Sequence, residues 1–163
     1  MSVNKFRKHV FVLPEDDANR QVAIGFFLAP FLLNQQFQVV RTAGGWAQVV
    51  ERFKSQYVGG MDRNPFTSIV LLIDFDGHEP RLKQIKAEIP VRLEGRVFIL
   101  GALTTPEALR QAGLGSYKEI GLAMAKDCRE GTDTIWGHAL LRHNATELER
   151  LLHLVRPVLF PSN

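Results

Sequence analysis

The chain has a single cysteine, Cys128. It can therefore form no internal disulfide and build no thiolate zinc cluster, which fits a reducing, cytoplasmic setting. Cys128 falls in a helix-like stretch, where a packing role is expected rather than a nucleophilic one. Long apolar runs are also missing. The most hydrophobic window, Val22 to Leu33, is too short to span a bilayer and contains Pro30, so no membrane partner is expected. The opening residues, Met-Ser-Val-Asn-Lys-Phe-Arg-Lys, lack the apolar stretch of a signal peptide. No sign of charge dominates: the net charge is +3, and the basic residues are scattered rather than massed in a tail. That balance permits nucleic-acid binding without requiring it. Repeats, low-complexity segments and linkers are absent as well.

What is present is enough for a core. With 163 residues, 45% of them hydrophobic and 23% charged, the chain reads as one soluble domain. A short apolar run at 9–13 reads as a buried strand closed by Pro14. A helix follows, with Asp16 or Asp17 as N-cap. It is apolar nearly all round (Val22, Ile24, Phe26, Phe27, Leu28, Phe31), which suggests burial with a partner subunit on one side and hence a homo-oligomer. Pro30 should kink or end it. Residues 36–41 form a second strand. Trp46, Val49, Val50, Phe53 and Tyr57 mark one face of the next helix, expected to stop at Gly59-Gly60 before an exposed loop over 59–66. Strands at 68–73 and 97–100 flank a helix over roughly 79–88. Thr104-x-x-Glu107 and Ser116-x-x-Glu119 read as helix starts, Gly131 as a stop, and the last helix begins near Asn144 with Pro157 just beyond it. Alternating strands and helices predict an α/β fold with a roughly four-stranded, mainly parallel sheet over 9–112 and a helical extension over 113–163, in one domain.

Three acids stand at the ends of predicted strands: Glu15 after the first, Asp74 and Asp76 after the third. In an open parallel sheet, ligands bind beyond these carboxyl ends. In Asp74-Phe75-Asp76, the period of two sends both aspartates to one side and Phe75 to the other. Oxygen ligands of this type suit Mg²⁺ or Mn²⁺, which could polarise a phosphate or activate a bound water. The alternative is that the acids cap helices, where their charge is favourable in any case.

A glutamate ending strand one and Asp-x-Asp ending strand three, within βα units, resembles the Toprim domain of topoisomerases, bacterial primases and small nucleases. The resemblance implies Mg²⁺-dependent phosphodiester cleavage on DNA or RNA, with Glu15 as acid/base and Asp74 and Asp76 as metal ligands. Two features depart from it: Asp16 stands where the family usually has glycine, and Pro14 precedes the glutamate. No tyrosine-nucleophile, zinc-binding or polymerase region accompanies the motif. A nuclease-type stand-alone member is therefore expected, or a non-catalytic regulatory module that keeps the fold. Glu15-Asp16-Asp17 with Asp74 is also similar to a receiver domain, but no lysine follows a clear fifth strand and the last forty residues have no place in that fold.

Other residues could assist. His78 lies on the loop past Asp76 and could shuttle protons. Arg81 could contact a phosphate. Gly44-Gly45 before a helix could offer amides to a phosphate, although a plain turn explains the pair equally. His138 and His143 lack the spacing of a helical zinc pair. The stretch Trp136-Gly137-His138 is unlike simple helix filler and has no evident chemistry.

Overall fold

The computed structural model describes residues 2–161. Four strands, β1 (His9–Pro14), β2 (Phe37–Val39), β3 (Thr67–Leu72) and β4 (Val97–Leu100), form one parallel sheet in the order β2-β1-β3-β4. Period-two burial explains the two-sided core. Val10, Val12, Val70, Leu72, Phe98 and Leu100 face one layer; Leu13, Ile69, Leu71, Val97 and Ile99 face the other. The first layer holds α1 (Asp17–Phe27), α5 (Pro106–Gln111), α6 (Tyr117–Glu130) and α7 (Ala145–Leu159). The second holds α2 (Trp46–Arg52), a π-helical turn at 53–57, α3 (Val58–Arg63) and α4 (Arg81–Ala87). The β1–β2 connection through α1 thus covers one face and the β2–β3 connection through α2 and α3 the other, so the strand order reverses between the neighbouring strands β1 and β3. This is the ligand-binding switch point of doubly wound folds.

Several expectations are corrected. The first helix ends at Phe27, before Pro30, and its apolar side packs on α6. Gly25 and Gly121 permit that close crossing: a Cβ on Gly25 would lie 2.2 Å from Lys118 O, and one on Gly121 would lie 1.9 Å from Val22 O. Gly59 and Gly60 do not stop the second helical run. It continues to Arg63, because burying Met61 completely outweighs a glycine penalty of about 1 kcal/mol each. Pro157 lies inside α7. Thr105, not Thr104, is the N-cap of α5. Among the expectations met are the Ser116–Glu119 capping box and Gly131 as a left-handed C-cap, at φ 71°.

The outer edge of β4 has no fifth strand among the described residues. Side chains take its place. The Ile99 amide donates to Glu147 Oε2 (3.1 Å) and the Gly101 amide to Asn144 Oδ1 (3.1 Å). Asn144 Nδ2 donates to Gly101 O (2.9 Å), and an Arg150 guanidinium nitrogen donates to Val97 O (3.0 Å). Residues three apart on the helical segment thus match every second residue of the strand. The edge is sealed against pairing with another sheet.

Candidate functional site

The switch point gathers the expected acids. Glu15 follows β1 directly, its amide donating to Leu72 O at 2.8 Å. Its carboxylate Oε2 accepts from the Asp74 amide at 2.5 Å. Asp74 keeps the phase of Val70 and Leu72 and so points toward α1, where Asn19 Nδ2 donates to its Oδ1 at 2.8 Å. Asn19 Nδ2 also donates to Asp16 Oδ1 at 2.9 Å, and Asp16 caps α1 through the Asn19 amide at 3.0 Å. Glu15 and Asp74 are 9% and 6% exposed.

Asp76 departs from the expected shared face. The strand ends at Leu72, and Asp76 adopts φ 50°, which breaks the period of two. Its carboxylate turns to Arg81, with N–O 2.6 Å. The same guanidinium nitrogen donates to Asp74 O at 2.7 Å, and the guanidinium stands over the Trp46 ring at 4.8 Å. Phe75 keeps its phase and packs into the opposite layer, edge-on to His143 at 5.1 Å. The acids therefore form a buried pair, Glu15 and Asp74, and an exposed third, Asp76, held by an arginine. Among the described residues no three His, Cys, Asp or Glu side chains are grouped tightly enough to make a ready metal cluster.

The electrostatics of the pair are unusual. Burial pushes the Asp74 carboxyl up to about 7; the Asn19 hydrogen bond opposes this, and the charges of Asp16, Glu15 and Asp76 add to it. Burial also raises Glu15, against the Asp74 amide, with Asp16 and Asp76 adding to the rise and Arg81 opposing it. Neither carboxylate makes a salt bridge among the described residues. Among the described residues, the buried polar atoms Arg81 Nε and Thr104 Oγ1 have no hydrogen-bond partner. Thr104 is next to Asp76, whose amide donates to Thr104 O at 3.1 Å.

A divalent cation fits this donor set. Both buried ligands are hard oxygens, and Mg²⁺ commonly uses one or two carboxylates and keeps several waters. A cation would also supply the charge that the pair lacks.

The other expected residues divide. The Gly44 amide donates to Glu15 O at 2.8 Å and Gly45 O accepts from Val49. Gly44 therefore holds the loop over Glu15 and does not present its amide to a phosphate. His78 is exposed on the loop past Asp76. His9 is a satisfied core residue, its ring bonded to Arg7 O (2.6 Å) and Thr67 Oγ1 (2.8 Å). Cys128 is buried and its thiol is pushed up to about 12 by that burial, so it has no nucleophilic part. The 133–144 stretch packs beside the site: the Leu103 amide donates to Leu140 O at 2.9 Å. Asp127 organises that stretch by accepting from the Ile135 and Trp136 amides.

The places of Asn19 and Trp46 at this site are not evident from sequence, which marks Trp46 only as part of a helix face. The one signal for Asn19 is a polar residue a turn before Val22, on the buried side of α1. No protein-family model, curated protein or solved structure matches the chain. Among the described residues, no helix is long and apolar enough to cross a membrane.

Proposed function

We propose that the chain is a Mg²⁺- or Mn²⁺-dependent phosphodiester-cleaving protein acting on nucleic acid. The observation that carries this reading is a pair of buried carboxylates, Glu15 and Asp74, at the switch point and with no cationic side chain on either. A buried charge is ordinarily paired or ligates a metal. The Toprim-like spacing of Glu15, Asp74 and Asp76 supports the same reading.

Asp74 and Glu15 would hold the cation, which would offset charge developing on the phosphate oxygens. Glu15 would also serve as acid/base toward the attacking or leaving oxygen. Asn19 fixes the Asp74 carboxylate. Arg81 holds Asp76 and the Asp74 carbonyl and forms the outer wall with Trp46. His78 lies exposed on the loop past Asp76.

Plasmid nicking and cleavage of structured RNA, each with Mg²⁺ or Mn²⁺, test the proposal. Activity is expected to fall by about 10² or more in Glu15→Gln and to vanish in Asp74→Asn. Cleavage that survives both substitutions contradicts it. A second reading, a regulatory module without turnover, draws support from the engagement of Glu15 by the Asp74 amide and of Asp76 by Arg81. It predicts cation uptake with no cleavage of either nucleic acid.

A further inference from the structure

The amino end of the sheet carries a surface of a different kind. After α1 the chain turns through Ala29-Pro30-Phe31-Leu32. The Leu32 amide donates to Ala29 O at 3.4 Å, and Phe31 adopts φ 68°. With proline second and a positive φ third, this is a turn whose third position ordinarily takes glycine, because a Cβ there crowds the backbone. A bulky residue in that conformation is strained, and such strain collects at functional surfaces. What the strain holds in place is a phenyl ring that is 70% exposed.

The surroundings of the ring are apolar and basic. The Arg129 guanidinium stands over it at 4.0 Å. Leu28 and Leu33 flank it in sequence, and both are exposed. Two grooves adjoin the Phe31–Arg129 stack. One, of about 740 Å³, is walled by Leu33, Leu152, Pro157 and Phe160. The other, of about 360 Å³, is walled by Pro30, Leu122 and Ala125, and shares Arg129 and Phe160 with the first. Their charged lining is Arg129, Arg156 and Lys126 against one acid, Glu130, with His153 at the margin. Contiguous exposed apolar surface with a polar rim marks an interaction site.

We propose that this surface docks an acidic segment of a partner protein that carries leucine or aromatic anchors. Leu33, Leu152, Pro157 and Phe160 in one groove, and Pro30, Leu122 and Ala125 in the other, offer such side chains apolar contacts, as in other groove-bound segments, and the surplus of cations selects an acidic partner. A second copy of the chain across a two-fold axis would set these cations against themselves. Single-stranded nucleic acid is bound by several flat aromatic platforms, whereas this surface has one exposed ring, Phe31, with Phe160 half-buried among otherwise aliphatic walls. The docking surface lies at the other end of the sheet from Glu15 and does not depend on the reaction proposed there.

The test is selection of phage-displayed random peptides on the wild-type protein, with affinities then measured on variants. Enriched peptides are expected to combine Asp or Glu with Leu, Phe or Trp. They should bind Arg129→Glu and Phe31→Gly at least about tenfold more weakly. Phe31→Gly removes the backbone strain, so it should melt at an equal or higher temperature than the wild type, and its loss of binding cannot be ascribed to unfolding. The proposal is overturned by neutral or basic consensus peptides, by no enrichment, or by equal binding to the variants. It is likewise overturned if oligothymidylate binding, or a dimer seen by sedimentation, is what Phe31→Gly abolishes.

Discussion

Two acid sites flank β4 and β3, and the chain treats them in opposite ways. At the β4 edge, Glu147 is 2% exposed. Burial pushes its carboxyl up, but Lys86, Arg150 and the Ile99 amide outweigh that and hold it below the usual glutamate range. At the carboxyl ends of β1 and β3, Asp74 and Glu15 are similarly buried, yet the Asn19 hydrogen bond to Asp74, and one main-chain amide with the Arg81 charge at Glu15, do not offset the burial, and both carboxyls rise. Asp127 belongs with Glu147: burial is outweighed by the Thr132 hydroxyl and the amides of Ile135, Trp136 and Thr134. An acid that serves the fold is thus given partners that neutralise it. An acid left without them destabilises the fold, and groups perturbed in this way gather at functional sites.

The largest expected effect comes from breaking the satisfied site. Glu147→Ala leaves Lys86, Arg150 and the Ile99 amide without their acceptor and should cost about 3 kcal/mol, read by chemical denaturation. A cost near zero would mean that this ion pair does not hold α7 on β4. The same operation on the other site should have the opposite sign. Asp74→Asn removes a buried charge while retaining an oxygen for Asn19, and should stabilise the fold by about 2 kcal/mol at pH 8 once solvent screening is discounted.

The pH dependence follows the same division. The Asp74 carboxyl rises from its ordinary value of 3.8 to about 7 when folded. The native state therefore holds an extra proton across that interval, and the contribution of Asp74 to stability declines as pH rises through it. Glu147 works in reverse: its stabilisation is present above its ordinary value of 4.5 and is lost as pH falls through the depressed one. Melting curves between pH 4 and pH 8 should show the Asp74 slope in the wild type and lose it in Asp74→Asn. The smallest effect is expected from Asn19→Ala, about 1 kcal/mol, together with a further rise of the Asp74 carboxyl that can be followed by NMR titration.

The elements legible in the sequence are those fixed by local chemistry. The apolar runs of β1, β3 and β4 are too short and continuous to be surface helices. Asp16 and Ser116 announce their helices through side-chain caps. Glu15 and Asp74 were legible because a strand end fixes their position. Asp76 was not, since the period of two applies only while the backbone is extended, and the chain turns at φ 50°. Asn19, Asn144, Glu147 and Arg150 were invisible as site or edge residues because polar residues on helices ordinarily face water. Their partners lie 43 to 55 positions away, so only tertiary structure turns them inward. The reach of the second helical run through Gly59-Gly60 depended in the same way on the burial of Met61.

The central claim, proposed above, is that Glu15 and Asp74 together hold a divalent cation. Crystals grown near pH 8 and soaked in Mn²⁺ test it most directly by anomalous scattering. The account predicts a peak within ligand distance of both carboxylates that disappears in Asp74→Asn. A site with no peak in the wild type, or one that persists unchanged in Asp74→Asn, would contradict it.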